Sequence, residues 1–173
     1  MKKKNKPVLL AVSGVKNSGK TTLIEGILPK LKEAGYKAAT VKHDGHDFEC
    51  DIEGTDTYKH KKAGAFGTAI FSKNRFMVVK EQQNTSEEEI ISYFNEADII
   101  ILEGFKYSDY PKIEIVRKGN SNESVCRKET LLAIATDIEN FGSSVNTVDL
   151  NDINSIVSLI IEFIKGRKNE GHF

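Results

Sequence analysis

The stretch Gly14-Val15-Lys16-Asn17-Ser18-Gly19-Lys20-Thr21 fits the phosphate-binding pattern G-x-x-x-x-G-K-[ST] at every fixed position. Each fixed residue has a physical task. Gly14 and Gly19 let the backbone turn tightly and approach a phosphate with no Cβ in the way. The loop amides and the N-terminus of a following helix then face the anion. In this pattern Lys20 reaches the β- and γ-phosphates and the Thr21 hydroxyl ligates Mg²⁺.

The flanks supply the setting that the pattern needs. Val8 to Val12 (Val-Leu-Leu-Ala-Val) is an apolar run that reads as a buried strand. After the motif, Leu23, Ile24, Ile27, Leu28 and Leu31 recur at helical spacing. The alternative, a glycine-rich turn with an incidental lysine, explains neither flank. The helix is expected to end near Ala34 with Gly35 as a left-handed cap, and Pro29 inside it predicts a bend or break.

Lys37 to Lys42 reads as a second strand, which makes a parallel, right-handed strand-helix-strand unit. His43 to Gly54 is polar and aperiodic, a loop, and Thr55 caps a short helix through Lys62. Ala65 to Phe71 and Arg75 to Lys80, separated by Ser72-Lys73-Asn74, predict a hairpin. Ser86-Glu87-Glu88-Glu89 is a capping box for a helix carrying Ile90, Ile91 and Phe94. Ile99-Ile100-Ile101-Leu102 is continuously apolar, as a central parallel strand is. Lys112 to Arg117 and Leu131 to Thr136 are further strands, joined by a polar, exposed and mobile connection over Gly119 to Glu129. A last helix is expected from about Asp152 to Lys165, stopped by Gly166. The whole predicts an α/β chain: a three-layer P-loop NTPase fold, its sheet mostly parallel, with an antiparallel hairpin near residues 65–80. One nucleotide-binding domain is expected over residues 1–173, with a basic tail at 1–6 and a disordered tail at 167–173.

Composition narrows the class. The 173 residues suit one domain with a sizeable core. The 25 basic and 25 acidic residues cancel, so no overall charge argues for nucleic acid. The basic start is followed by no apolar signal region, and no run approaches membrane-spanning length. Cys50 and Cys126 lack metal-type spacing and read as reduced thiols of a bacterial cytoplasm.

A phosphate loop needs a second acid at the end of a neighbouring strand. Glu103 follows Ile99 to Leu102 directly and precedes Gly104, which lets the chain leave the sheet sharply. A carboxylate there holds Mg²⁺ or polarises the attacking water, so Lys20 and Glu103 are the candidate catalytic pair. Asp98, at the other end of that strand, is too far away and caps the strand instead. His43-Asp44-Gly45-His46-Asp47 follows the second strand, on the edge that faces ligand in open α/β sheets. Asp44 or Asp51 is therefore a candidate second Mg²⁺ contact, and His43, His46, Asp51 and Lys106 a second-ligand or switch group. A zinc set drawn from His43, His46, Cys50 and Asp51 matches no closed zinc spacing, and a plain surface loop is the other alternative. Asp137, after the strand ending in Thr136, has the chemistry to accept from guanine N1–H and N2–H₂, or simply to cap a strand end. Lys16 adds charge to the loop. Lys106, Tyr107, Tyr110, Lys112 and Arg117 place cations and aromatics near the site, as ligand contacts or as solvated lysines with half-buried rings.

Several of these motifs together resemble the molybdopterin-guanine dinucleotide biosynthesis protein B (MobB) family. The resemblance rests on Gly14 to Thr22, on Val41-Lys42-His43-Asp44-Gly45-His46, and on Asp51, Gly54 and Asp56. It continues through Lys62-Ala63-Gly64-Ala65, Asp98 to Lys106, and Pro111-Lys112-Ile113, over about residues 8–137. It implies a dimeric P-loop protein that binds GTP with Mg²⁺, hydrolyses it slowly, and assists the molybdenum cofactor guanylyltransferase in attaching GMP to molybdopterin. Whether molybdopterin binds directly stays open; the edge strands at 65–80 are one place for the dimer to form. By position, Gly14, Val15, Lys16, Asn17, Ser18, Gly19, Lys20, Thr21 and Thr22 bind the nucleotide and Glu103 is the metal-side acid. The competing reading is a P-loop small-molecule kinase or ATP-dependent ligase. The four arginines, Arg75, Arg117, Arg127 and Arg167, are scattered, which argues against an arginine-rich lid.

Overall fold

The computed structural model describes residues 6–46 and 48–170. Of the expected tails, residues 1–5 and 171–173 lie outside the described residues, as does Asp47. The chain forms two compact units. One takes the chain up to His43 and again from Ile90; the other is Asp44–Glu89.

The first unit is a parallel sheet of order β2-β5-β1-β6-β7-β8. Its strands are β1 (Val8–Gly14), β2 (Ala38–Lys42), β5 (Ile99–Glu103), β6 (Lys112–Val116), β7 (Leu131–Thr136) and β8 (Thr147–Asp149). Every pairing in it is parallel. Parallel strands need crossovers, and the helices that make them cover the sheet and bury both faces. That is why Ile99, Ile100, Ile101 and Leu102 are all fully buried. Side chains alternate along β1: Leu10 and Val12 pack with α1 (Lys20–Glu33) and α4 (Ile153–Glu170), while Ala11 faces the opposite side with Ile100 and Leu102. The P-loop fold expected from the sequence is therefore present, with β5 between β1 and β2. The short edge strand β8 has only three residues and gives no period from which a sequence reading starts.

Two expectations are corrected. Of the bend or break expected at Pro29, the break is absent: the first helix runs through it continuously. Pro29 and Glu25, whose carbonyl loses its partner, both lie on the exposed side, where the freed carbonyl is open to solvent. The last helix does not stop at Gly166 but continues to Glu170. One tertiary tie and one contact within the helix extend it: Lys168 Nζ lies 2.7 Å from Asp98 Oδ1, and the Arg167 guanidinium lies over the ring of Phe163, one turn earlier in α4. Residues 167–170 are thus helical, not a disordered tail. Asp98 does cap the strand start, accepting the Lys37 N–H at 2.9 Å. Gly35 has the expected left-handed φ of 85°.

The second unit holds α2 (Asp56–Lys62) and the hairpin of β3 (Gly67–Phe71) and β4 (Phe76–Lys80), antiparallel with Phe71 opposite Phe76. Thr55 caps α2 by accepting the Tyr58 N–H at 3.3 Å. At the end of the unit, Ser86 Oγ accepts the Glu89 N–H at 3.2 Å and starts α3 (Glu87–Ser92). The hairpin and both caps stand where the sequence puts them. None of the described residues of Asp44–Glu89 is buried.

Candidate functional site

β1 delivers Gly14 to the top of the sheet, and the chain folds back into α1 through a tight loop. Gly14 has φ 140°, and a Cβ there would stand 2.7 Å from the Ile115 carbonyl oxygen and 2.8 Å from Ser18 Oγ. Gly19 has φ 99° immediately before α1. Asn17, between them, takes a left-handed φ of 61°, which asparagine tolerates better than most residues. The Lys20 ammonium lies across the loop, 2.7 Å from Val15 O and 3.3 Å from Gly14 O. Burial holds it below the ordinary lysine value; Glu103 pulls it back up, while Lys106 and Lys42 push it further down. Ser18 Oγ is buried and has no hydrogen-bond partner among the described residues.

Glu103 meets this loop because of register. β5 pairs with β1 so that Glu103 lies beside Val12, and with β2 so that it lies beside Lys42. Thr21 Oγ1 then donates to Glu103 Oε1 at 3.1 Å, across 82 residues of sequence, and Lys42 Nζ stands 3.5 Å from the same oxygen. A hydroxyl and a largely buried carboxylate in contact beside the loop are oxygen donors of the hard type that suits Mg²⁺.

After Glu103 the chain makes two left-handed residues in succession, Gly104 at φ 103° and Phe105 at φ 49°. The second carries strain, since a bulky residue disfavours that region. The turn is clamped from three sides. Gly104 N–H donates to Val12 O at 2.9 Å, and Ser13 Oγ donates to Gly104 O. Lys112, fully buried on β6, donates to Phe105 O, Lys106 O and Ser108 O at 3.2, 3.4 and 2.7 Å. Lys112 is therefore neither solvated nor a ligand contact: its three N–H groups hold the segment that carries Lys106. The Phe105 ring lies 5.9 Å from the His43 ring and 6.1 Å from that of Tyr110.

The other flank of the loop is the segment after β6. Asn120 Nδ2 donates to Lys16 O at 3.2 Å. Asp137 Oδ1 accepts the Lys118 N–H at 2.7 Å, and Asp137 Oδ2 lies 4.0 Å from Arg117 Nε. Further on, the buried Glu114 carboxylate accepts Val125 N–H at 2.7 Å, Cys126 N–H at 3.4 Å and the Ser124 hydroxyl. The connection read as mobile is thus tied to β6 at its centre.

The structure brings together Lys20, Thr21, Glu103, Lys42 and Lys106 on one side of the loop and Lys16 and Asp137 on the other. Asp44, His46 and Asp51 belong to the second unit. There Asp51 Oδ1 accepts the Ile52 N–H at 2.8 Å and the Thr55 hydroxyl at 3.1 Å, a turn that leads into α2. Asp44 and His46 are exposed. Among the described residues no three His, Cys, Asp or Glu side chains converge as a multi-ligand metal cluster would. Sequence reasoning missed Lys42 as the neighbour of Glu103 and the anchoring roles of Lys112 and Glu114. The signal for the last two was present: Lys112-Ile113-Glu114-Ile115 alternates in a strand of a sheet covered on both faces, so its polar set is buried and needs partners.

Residues 9–137 match the model of the family described as molybdopterin guanine dinucleotide synthesis protein B. The chain is 30% identical over 166 residues to the molybdopterin-guanine dinucleotide biosynthesis adapter protein of Escherichia coli, covering 91% of this chain and 93% of that one. It is 30% identical over 171 residues to the protein of the same name from Haemophilus influenzae, covering 97% and 93%. Among solved structures, a molybdopterin-guanine biosynthesis protein B matches with TM-score 0.68 and 25% identity over 91% of this chain and 99% of that one. Bacillus subtilis MobB matches with TM-score 0.66 and 29% identity over 88% and 97%. No helix among the described residues is long and apolar enough to cross a membrane.

Proposed function

The chain belongs to the molybdopterin guanine dinucleotide synthesis protein B (MobB) family, and from that premise we propose that it is a GTP-binding adapter of molybdenum cofactor biosynthesis. It assists the guanylyltransferase that forms molybdopterin guanine dinucleotide, and it hydrolyses GTP slowly. The observation that carries the nucleotide part is the contact between Thr21 Oγ1 and Glu103 Oε1 beside a phosphate loop crossed by the Lys20 ammonium. The adapter role is supported by the names of the relatives.

In this reading the loop amides from Lys16 to Thr22 hold the phosphates and Lys20 offers them its charge. Thr21 and Glu103 would hold Mg²⁺, which when bound supplies further neutralisation of phosphate charge. Glu103, held by Thr21 and Lys42, orients the attacking water. A single positioned carboxylate with no arginine-rich lid suits slow turnover, and an adapter uses nucleotide state more than flux. The protein works in the cytoplasm, where GTP is present and its two free cysteines stay reduced.

It acts as a homodimer. Phe66, Ile70, Phe71, Phe76 and Val78 of the hairpin unit are each more than half exposed in the single chain. A two-stranded hairpin is at best marginally stable alone, so a second copy of the same apolar surface is the natural cover.

Calorimetry with GTP and ATP, each with and without Mg²⁺, tests the reading on wild type and Lys20→Ala. Tight Mg²⁺-dependent GTP binding, lost in Lys20→Ala, supports it. A preference for ATP sinks the guanine assignment and favours a kinase or ligase.

A further inference from the structure

The geometry points to Arg117 as a second cation of the nucleotide site, set over the last glycine of the phosphate loop and held there by Asp137. The inference rests on the phosphate-loop reading above and deepens it. It gives Asp137 a different task from reading guanine.

Arg117 follows β6 directly, and β6 pairs with β1 through Gly14, so its end emerges beside the loop. A Cβ built on Gly19 would stand 3.2 Å from Arg117 Nη1. The guanidinium therefore occupies the open face of the residue that precedes α1. That is an unfavourable place for a cation in isolation. Helix N-termini carry partial positive charge, and cations are favoured at C-termini instead. Lys20 adds a second full positive charge at the same end of α1. Two cations gathered on one helix N-terminus make electrostatic sense when an anion comes between them.

The placement is built rather than incidental. Arg117 N–H donates to Ser121 Oγ at 3.3 Å, and Arg117 O accepts the N–H groups of Asn120 and Ser121 at 3.0 and 2.9 Å. Asn120 then reaches Lys16 O at 3.2 Å. The turn 117–121 is thus docked on the phosphate loop at residue 16 while Arg117 covers residue 19. Asp137 secures the base of this turn through the Lys118 N–H at 2.7 Å. Its other oxygen stands 4.0 Å from Arg117 Nε, close enough to orient the guanidinium and too far for a hydrogen bond. The Arg117 side chain stays half exposed, so its donors can turn to a ligand's phosphate oxygens. Asp137 is a positioning residue in this scheme: both its oxygens serve the 117–118 segment.

The test is calorimetry on the full chain with Mg²⁺–GTP and Mg²⁺–ITP; ITP has the same phosphates but lacks the guanine 2-amino group. Arg117→Ala weakens both nucleotides by the same factor, about tenfold to a hundredfold, as loss of a charge-assisted contact does. Arg117→Lys falls in between, keeping the charge without the fork. Asp137→Asn weakens both nucleotides by less, and the double variant is no worse than Arg117→Ala alone, because the second change acts through the first. Unchanged melting curves show that the fold is intact. Binding by Arg117→Ala within about twofold of wild type, while Lys20→Ala abolishes it, would overturn the role of Arg117 and leave the phosphate-loop reading standing. Selective loss of the GTP-over-ITP preference in Asp137→Asn would assign that carboxylate to the base and overturn its positioning role. Unchanged GTP binding in Lys20→Ala would remove the phosphate-loop reading and this inference with it.

Discussion

The two units of this chain solve opposite problems. In the sheet unit, Leu10, Ile27, Ile101, Ile113 and Ile160 show no exposed surface, and even charged Lys112 and Glu114 are buried. In Asp44–Glu89 no described residue is buried, and Phe71 is 84% exposed and Phe76 71% exposed. The first unit derives its stability from apolar area removed from water, at about 25 cal/mol per Å². The second has a register, a closed turn and two capped helix starts, but little burial of its own. Local hydrogen bonds alone stabilise weakly, because water competes for every one of them. A segment can therefore be well specified in conformation and still depend on a partner for most of its stability.

The largest expected effect contrasts the two directly. Ile101→Ala, in the centre of β5, lowers unfolding stability by about 2–5 kcal/mol in chemical denaturation. Phe71→Ser with Phe76→Ser changes the stability of the monomer little, within about 0.5 kcal/mol per site, but weakens self-association in analytical ultracentrifugation. A loss on the scale of Ile101→Ala, with self-association unchanged, would mean that the hairpin is not the surface between copies.

Next in size is the contrast between two lysines of the site. Lys112→Met removes the shared donor of three part-buried carbonyls. Phe105 O keeps its bonds from Ser108, but Lys106 O and Ser108 O lose their Lys112 donor, and an acceptor left unpaired away from water costs about 1–3 kcal/mol. It also releases the strained Gly104-Phe105 turn, so GTP turnover falls together with stability. Lys42→Met removes a lysine whose side chain is 58% exposed and leaves stability within about 0.5 kcal/mol of wild type, affecting only the neighbourhood of Glu103. Equal destabilisation by the two would show that the carbonyl cage is not what holds the turn.

This pair also shows how far the sequence could be read. Local chemistry was legible: the glycine spacing, the Thr55 and Ser86 caps, and the hairpin around residues 72–75 all depend on neighbours in the chain. The position of Glu103 beside the loop was legible too, because a strand end followed by glycine is a local pattern. What escaped depends on register. Lys42 and Glu103 become neighbours only when β2 and β5 align, and Lys112 meets the 105–108 carbonyls only through the order of the sheet. Gly166 misled for the same reason: its helix propensity is poor, but Lys168 and Asp98, 70 residues apart, extend the helix past it.

The two cysteines, one in each unit, report on the same difference. Burial first, and then the adjacent Glu114 carboxylate, push the Cys126 thiol up to about 12. At pH 8 only about one Cys126 in ten thousand is thiolate. Cys50 is exposed. Iodoacetamide followed by mass spectrometry therefore labels Cys50 in the native protein and Cys126 only after unfolding. The folded state favours the neutral Cys126 thiol, so its contribution to stability is intact below pH 9 and is lost as pH rises toward 12. Cys126→Ser removes that alkaline loss. Labelling of both cysteines at one rate would show that the 124–126 segment opens as freely as the exposed unit.

The smallest effect separates ion pairs by their surroundings. The Lys168 ammonium, helped by the Lys37 N–H, holds the Asp98 carboxyl below its ordinary value. A lowered carboxyl stabilises the fold above its unfolded value of 3.8, and that contribution fades as pH falls below it. Asp98→Asn therefore costs less than about 1 kcal/mol at pH 7, since the pair is one-third exposed, and progressively less as pH falls below 3.8. Amide exchange in the last turn of α4 rises with the substitution, because that turn loses its anchor. In the second unit, Lys59 and Asp56 stand 3.5 Å apart with side chains 65% and 90% exposed, and Lys59→Met produces no measurable change. Water screens that pair almost completely, whereas Asp98 and Lys168 join a helix end to the start of β5 in a partly dry setting. Equal costs for the two substitutions would mean that exposure does not rank these pairs, and that ion pairs stabilise the exposed unit to a degree its geometry does not suggest.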